Sequence, residues 1–162
     1  MAFHYRFQHL VFPTAALLTV LFSACKKDIP VDANTSLLAS HPWRISAFAD
    51  TDNTVKPPKT VDAVVSFPIY RRDDTYRFNT DNSLIFDEGS LKENAADAQN
   101  TAGKWQFQNE QKSLTITLNK TVALGTTGIT SSSTYSILKL RGDTLRLTHG
   151  TQAQTVVVTL TR

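Results

Sequence analysis

The sequence predicts an all-β fold: an antiparallel, up-and-down barrel of eight to nine strands with at most one or two short helices. Three observations predict it. Period-two runs of β-branched and aromatic residues recur along most of the chain after residue 42. Clusters of Gly, Asn, Asp and Ser separate those runs at hairpin spacing. So many short paired strands must also remove their open edges; closure into a barrel does so, whereas a sandwich only reduces them.

The runs come in order. "WRISAF" (43–48) alternates partly, and "VDAVVSF" (61–67) is rich in Val. "TYRFN" (75–79) places Tyr76 and Phe78 on one face, and "SLIFD" (83–87) follows the turn-rich "TDN". "KWQFQ" (104–108) pairs Trp105 with Phe107, and "SLTITLN" (113–119) alternates strictly. "STYSILKLR" (133–141), "TLRLTH" (144–149) and "TVVVTLTR" (155–162) complete the set. Gly142-Asp143 reads as a two-residue hairpin turn with Gly at positive φ. In "SLKENAADAQN" (90–100), Ser90 stands three before Glu93, the pattern of a capping box, so a short helix or a loop is expected. "ALGTTGITSSS" (123–133) reads as a flexible loop. "TSLLAS" reads as one helical turn capped by Thr35 or Asn34.

The first segment differs. Residues 1–9 carry Arg6 and no acid, and Leu10 to Ala24 is uncharged and ends in the small residues Ser23 and Ala24. That is the anatomy of a secretory signal peptide. A transmembrane helix needs roughly 20 apolar residues, and this run is shorter and holds Pro13. Ser23-Ala24-Cys25 resembles the lipobox of bacterial lipoproteins, with Phe22 and Leu21 just before it. The resemblance implies cleavage before Cys25, attachment of a diacylglycerol with two ester-linked chains to its sulfur, and a further N-acyl chain, palmitate among them. Cys25 is the only cysteine, so no disulfide can form within the chain. Buried methylenes contribute about 0.8 kcal/mol each, so several acyl chains would anchor the protein in effect permanently. The expected organisation is a signal peptide over 1–24, a lipidated cysteine and tether over 25–36, and a barrel over 37–162. The expected location is the bacterial cell envelope, as an outer-membrane lipoprotein.

Without residues 1–24 the chain holds 16 basic and 14 acidic residues. That balance is too even for an electrostatic nucleic-acid binder. "YRRDDTYRF" (70–78) mixes bases with aromatics, but Asp73 and Asp74 neutralise Arg71 and Arg72.

The Trp in the first strand, "DTYRFNTDNSLIFDEG", "AGKWQF" and the closing Leu-x-Leu hairpin together resemble the lipocalin-like domain of bacterial envelope lipoproteins. Asp74, Phe78 and Gly103-Lys104-Trp105 fit the pattern, while Asp81-Asn82 stands where Asp-Gly is usual. The resemblance spans about residues 36–162. It implies a barrel or half-open barrel, with an interior able to take a small apolar ligand. It also implies that Trp43 closes the base, with Arg146 or Arg162 lying across it.

Tyr76, Phe78, Trp105, Phe107 and Tyr135 sit on expected apolar faces. They line a ligand pocket if the barrel has a mouth, or form its core if it is filled. A filled barrel would instead serve as a structural or protein-interaction module. No nucleophile elbow, HExxH, phosphate loop or dinucleotide fingerprint occurs, so no catalytic residue, metal or cofactor is expected. "ADTDN" (49–53) has only part of a calcium loop. The adjacent carboxylates Asp73-Asp74 and Asp87-Glu88 would point to opposite strand faces, so neither pair is expected to act together.

Overall fold

The computed structural model describes residues 31–64, 67–118, 122–124, 127–129 and 132–162. The signal peptide and Cys25 lie outside the described residues. The fold is all-β with one small helix, α1 (Ala33–Leu38). Asp32, rather than Thr35 or Asn34, caps it: its carboxylate accepts from the Asn34 and Thr35 amides at 3.0 and 2.9 Å.

The strands are β1 (Arg44–Asp52), β2 (Lys59–Asp62), β3 (Thr75–Phe78), β4 (Ser83–Asp87), β5 (Asn100–Gln108), β6 (Ser113–Leu118), β7 (Val122–Leu124), β8 (Thr127–Ile129), β9 (Ser132–Arg141), β10 (Thr144–Gly150) and β11 (Gln154–Thr161). Nine form one antiparallel sheet in the order β2-β1-β11-β10-β9-β6-β5-β4-β3, and β7-β8 is a separate hairpin that overlaps the expected 123–133 loop. β2 takes in only 61–62 of the described residues of the Val-rich stretch, and 91–99 is a loop of bends and a turn.

No continuous ladder closes the sheet. A single antiparallel bridge ties its ends instead: Trp43 and Tyr76 exchange two backbone hydrogen bonds, each 2.8 Å. Trp43 immediately precedes β1, so the first and last strands of an eight-strand circuit meet there, with β2 outside it.

Two bulges keep the apolar faces in phase. Ile45 pairs with Leu160 and Ala47 with Thr159, so Ser46 is an extra residue, and Ile45 and Phe48 both reach the core. In β9, Leu147 pairs with Ile137 and Arg146 with Lys139; Leu138 is the extra residue and stands 54% exposed. The core combines Leu84, Phe86, Leu114, Ile116, Leu145, Leu147, Val158 and Leu160 with the inward aromatics. Gly103 is required where β5 pairs with Leu118 of β6, because a Cβ there would fall 2.4 Å from the Thr117 carbonyl oxygen and 2.6 Å from Leu118 Cδ2.

One end is plugged by α1 and two turns. The Trp43 indole donates to the Leu38 carbonyl at 2.7 Å, Asn34 Nδ2 to Gln111 Oε1 at 2.5 Å, and His41 Nε2 lies 2.8 Å from the Gly142 carbonyl. His41, not an arginine, packs on Trp43, with ring centroids 4.2 Å apart. Arg162 binds the Gly142 carbonyl instead, and Arg146 is exposed. Gly142 is not at positive φ; the left-handed residues are Asn82, Gly89 and the turn Asn109, Glu110, Gln111.

Candidate functional site

The five sequence-predicted residues separate into two groups. Phe78, Trp105 and Phe107 make an edge-to-face chain, with centroids 5.9 and 5.3 Å apart. The Trp105 indole donates to the Asn79 carbonyl at 3.0 Å, so its polar atom is already used by the β3–β4 turn. Core packing accounts for this group.

Tyr76 and Tyr135 differ. Each is 1% exposed; the Tyr76 hydroxyl has no hydrogen-bond partner, and the Tyr135 hydroxyl has only the poorly aligned Ser133 side chain near it. Tyr76 packs on Phe86 at 5.1 Å between centroids, and Tyr135 on His149 at 5.6 Å. Burial pushes the Tyr76 hydroxyl far above the usual phenol range; the Asp74 charge and then Tyr135 add to the push. Burial likewise raises Tyr135 to about 12.

Asp74 completes the group. It precedes β3 and has the inward parity of Tyr76 and Phe78; it is 8% exposed and its Oδ1 accepts no hydrogen bond. Glu88, 4% exposed, follows β4 with the inward parity of Leu84 and Phe86. Tyr76 pairs with Phe86, so the hairpin register carried two residues outward sets Asp74 against Glu88. Burial first, then the Asp73 charge, raise Asp74 to about 7; Arg71 opposes them and Glu88 adds to them. Reading each adjacent carboxylate pair alone missed this. The signal was present as D-x-Y-x-F facing L-x-F-x-E, one inward carboxylate from each strand.

The connections around this end are braced. Asp73 accepts from the Ser90 amide and hydroxyl at 2.6 and 2.7 Å, which holds its carboxyl below the usual range. Arg71 pairs with Glu93 at 3.1 Å, joining the 3-10 turn Ile69–Arg71 to the β4–β5 connection. Gly89 has φ 67°, and a Cβ on it would fall 2.4 Å from the Asp73 carboxylate.

Two open concavities lie away from Tyr76, Tyr135 and Asp74 and are lined largely by polar residues. A groove of about 480 Å³ runs along Lys104, Gln106, Thr115 and Thr117, near Asn82 and Gly103. A rim pocket of about 460 Å³ lies where β1, β2 and β11 end, among Asp50, Asp52, Lys59, Val61 and Gln154. In the "ADTDN" stretch, Asp50 accepts from Gln154, and Asp52 accepts from the Thr54 amide and hydroxyl. No helix among the described residues is long and apolar enough to cross a membrane.

No family model matches the chain. No curated protein matches it either. Solved structures are similar to it at low identity. A lipocalin-like protein from Bacteroides uniformis is 14% identical, with TM-score 0.39, covering 75% of this chain and 96% of that one. A DUF4847 family protein from Bacteroides vulgatus is 14% identical, with TM-score 0.44, covering 75% and 92%. An uncharacterized protein from Bacteroides eggerthii is 13% identical, with TM-score 0.41, covering 75% and 97%.

Proposed function

We propose that the chain is a bacterial envelope lipoprotein, anchored through acyl chains on Cys25, whose barrel-like domain holds a small, largely apolar ligand with one polar end. The observation that carries the ligand reading is the set Asp74 Oδ1, Tyr76 hydroxyl and Tyr135 hydroxyl. All three are buried without a well-formed hydrogen bond; Tyr76 lies in the apolar interior, Tyr135 has the Ser133 side chain beside it, and Asp74 stands among the charges at the strand ends. Leaving such a group unsatisfied costs about 1–3 kcal/mol. A ligand whose polar end meets these atoms and whose body lies on the aromatic wall relieves that cost.

A second reading, a module that contacts another envelope protein, has one observation in its favour. Val61 on the edge strand β2 and Val55, Ile69 and Leu91 on the connections are 42 to 67% exposed.

The test is native mass spectrometry of the detergent-solubilised lipoprotein after incubation with an envelope lipid extract. The expected result is a retained small molecule, with retention falling about tenfold in the Tyr76→Phe, Tyr135→Phe double variant, in keeping with the loss of about two hydrogen bonds. Protein that never takes up a small molecule would leave the module reading. For the anchor, an alkyne-tagged palmitate should label the wild type and not Cys25→Ser; equal labelling of both defeats it.

A further inference from the structure

The plugged end of the barrel carries a second feature, unrelated to the interior. Register places Arg44 beside Thr161, Thr161 beside Thr144, and Thr144 beside Arg141. The next outward row runs Ala47, Thr159, Arg146, Lys139. Partners across antiparallel strands share a face, and the alternate residues Ile45, Leu145, Leu160 and Leu140 belong to or pack on the core. Arg44, Lys139, Arg141 and Arg146 therefore project outward together, and all four are exposed. Arg162 is exposed at the same corner, and the bulge residue Leu138 protrudes from the same strand. Asp143, in the β9–β10 turn, is the carboxylate close to them in sequence. Neither the Arg71–Glu93 nor the Lys112–Glu110 ion pair uses these cations.

The opposite end carries more acid than base: Asp50, Asp52, Asp62, Asp73, Asp87, Glu88 and Glu93 stand there against Lys59, Arg71, Arg72 and Lys92. A near-neutral chain is thus polarised along the barrel. The basic flank is also the one next to the tether. Cys25 precedes the cap residue Asp32 by seven positions, a reach of at most about 25 Å, and Lys26-Lys27 lie within it.

We infer that this flank of β9, β10, β11 and β1 is a docking surface for anionic lipid headgroups, which lays the plugged end on the membrane and turns the Asp74 end away from it. The inference rests on the lipid-anchor reading. Acyl chains fix only one point of the chain, and the basic rows fix the barrel's orientation. Each Lys or Arg held near an anionic leaflet adds an attraction that salt screens within a Debye length. Leu138 is placed to enter the headgroup layer between the cations.

The experiment uses the acylated lipoprotein in vesicles of phosphatidylcholine alone, or with phosphatidylglycerol as about a third of the lipid. A water-soluble amine-reactive ester labels exposed lysines, and mass spectrometry reads Lys139 against Lys59 at the far end. Lys139 should be labelled about threefold less on anionic than on neutral vesicles, with Lys59 unchanged. High salt should restore Lys139 labelling, and the Arg44→Gln, Arg141→Gln, Arg146→Gln variant should lose the protection. Equal Lys139 labelling on both vesicle types, with the protein still floating with them, overturns the docking surface and leaves the anchor intact. Protein that floats with neither overturns both. Protection of Lys139 by a soluble acidic polysaccharide but not by anionic vesicles assigns the flank to a different partner and overturns it as well.

Discussion

Asp74 sets local charge against burial more sharply than any other described side chain. Its pKa of about 7 lies above the ordinary aspartate value of 3.8, so the folded state binds more protons than the unfolded state between about pH 4 and pH 7. Stability from this group is therefore fully present below about pH 4 and is lost as pH rises through 7. Asp74→Asn removes the titration. It should stabilise the protein relative to wild type at pH 8, by an amount on the order of 2 kcal/mol, and leave it little changed near pH 4. Urea unfolding of both proteins across that range checks it; a wild-type-minus-variant difference that is flat with pH would refute the assignment. Gly89 is a separate constraint at the same end. Its positive φ and its contact with Asp73 leave no room for a Cβ, so Gly89→Ala should cost about 1–3 kcal/mol in the same measurement.

The strands show what alternation can and cannot reveal. Strict period two made "SLTITLN" and "TYRFN" plain, because each contributes one apolar face to one core. "WRISAF" alternates only partly because Ser46 is a bulge residue, and the break in pattern is the bulge itself. In "STYSILKLR" a plain alternation cannot place both Ile137 and Leu140 inward, and the extra residue Leu138 resolves the conflict. The short hairpin β7–β8 and the truncated strand β2 were not legible, since Thr, Gly and Ser suit loops and exposed strands alike. The candidate site was half legible. Tyr76 and Tyr135 stood out as aromatics, whereas Asp74 and Glu88 needed the register of β3 against β4 before they faced one another. Deleting Ser46 gives the bulge its test. It would force Trp43 and Ile45 out of phase with Phe48, at a cost of several buried side chains worth about 1.5–3 kcal/mol each. The expected outcome is loss of the cooperative unfolding transition, whereas Ser46→Ala should retain it, because the Ser46 hydroxyl makes only an exposed 3.3 Å contact with the Thr159 carbonyl.

At the level of the whole molecule, closure depends on very little backbone. Eight strands form a circuit, yet the seam between β1 and β3 is one bridge, at Trp43 and Tyr76. The same two residues carry the rest of the architecture: the Trp43 indole ties the helix α1 to the seam, and Tyr76 bears one of the interior hydroxyls. The plugged end, the seam and the interior polar group are therefore one mechanical unit, and opening the seam should expose the interior. Trp43→Ala removes a fully buried side chain and the Leu38 tie, an expected loss of about 3–5 kcal/mol. The sharper readout is hydrogen exchange at the Tyr76 amide, which donates to the Trp43 carbonyl. Its protection should fall to the level of a frayed strand end in Trp43→Ala while the amides of the β10–β11 ladder stay protected. If Tyr76 keeps its protection in that variant, the bridge is supported by the rest of the sheet rather than by Trp43. The domain would then be a closed barrel in its energetics, despite having a single pair of hydrogen bonds at its seam.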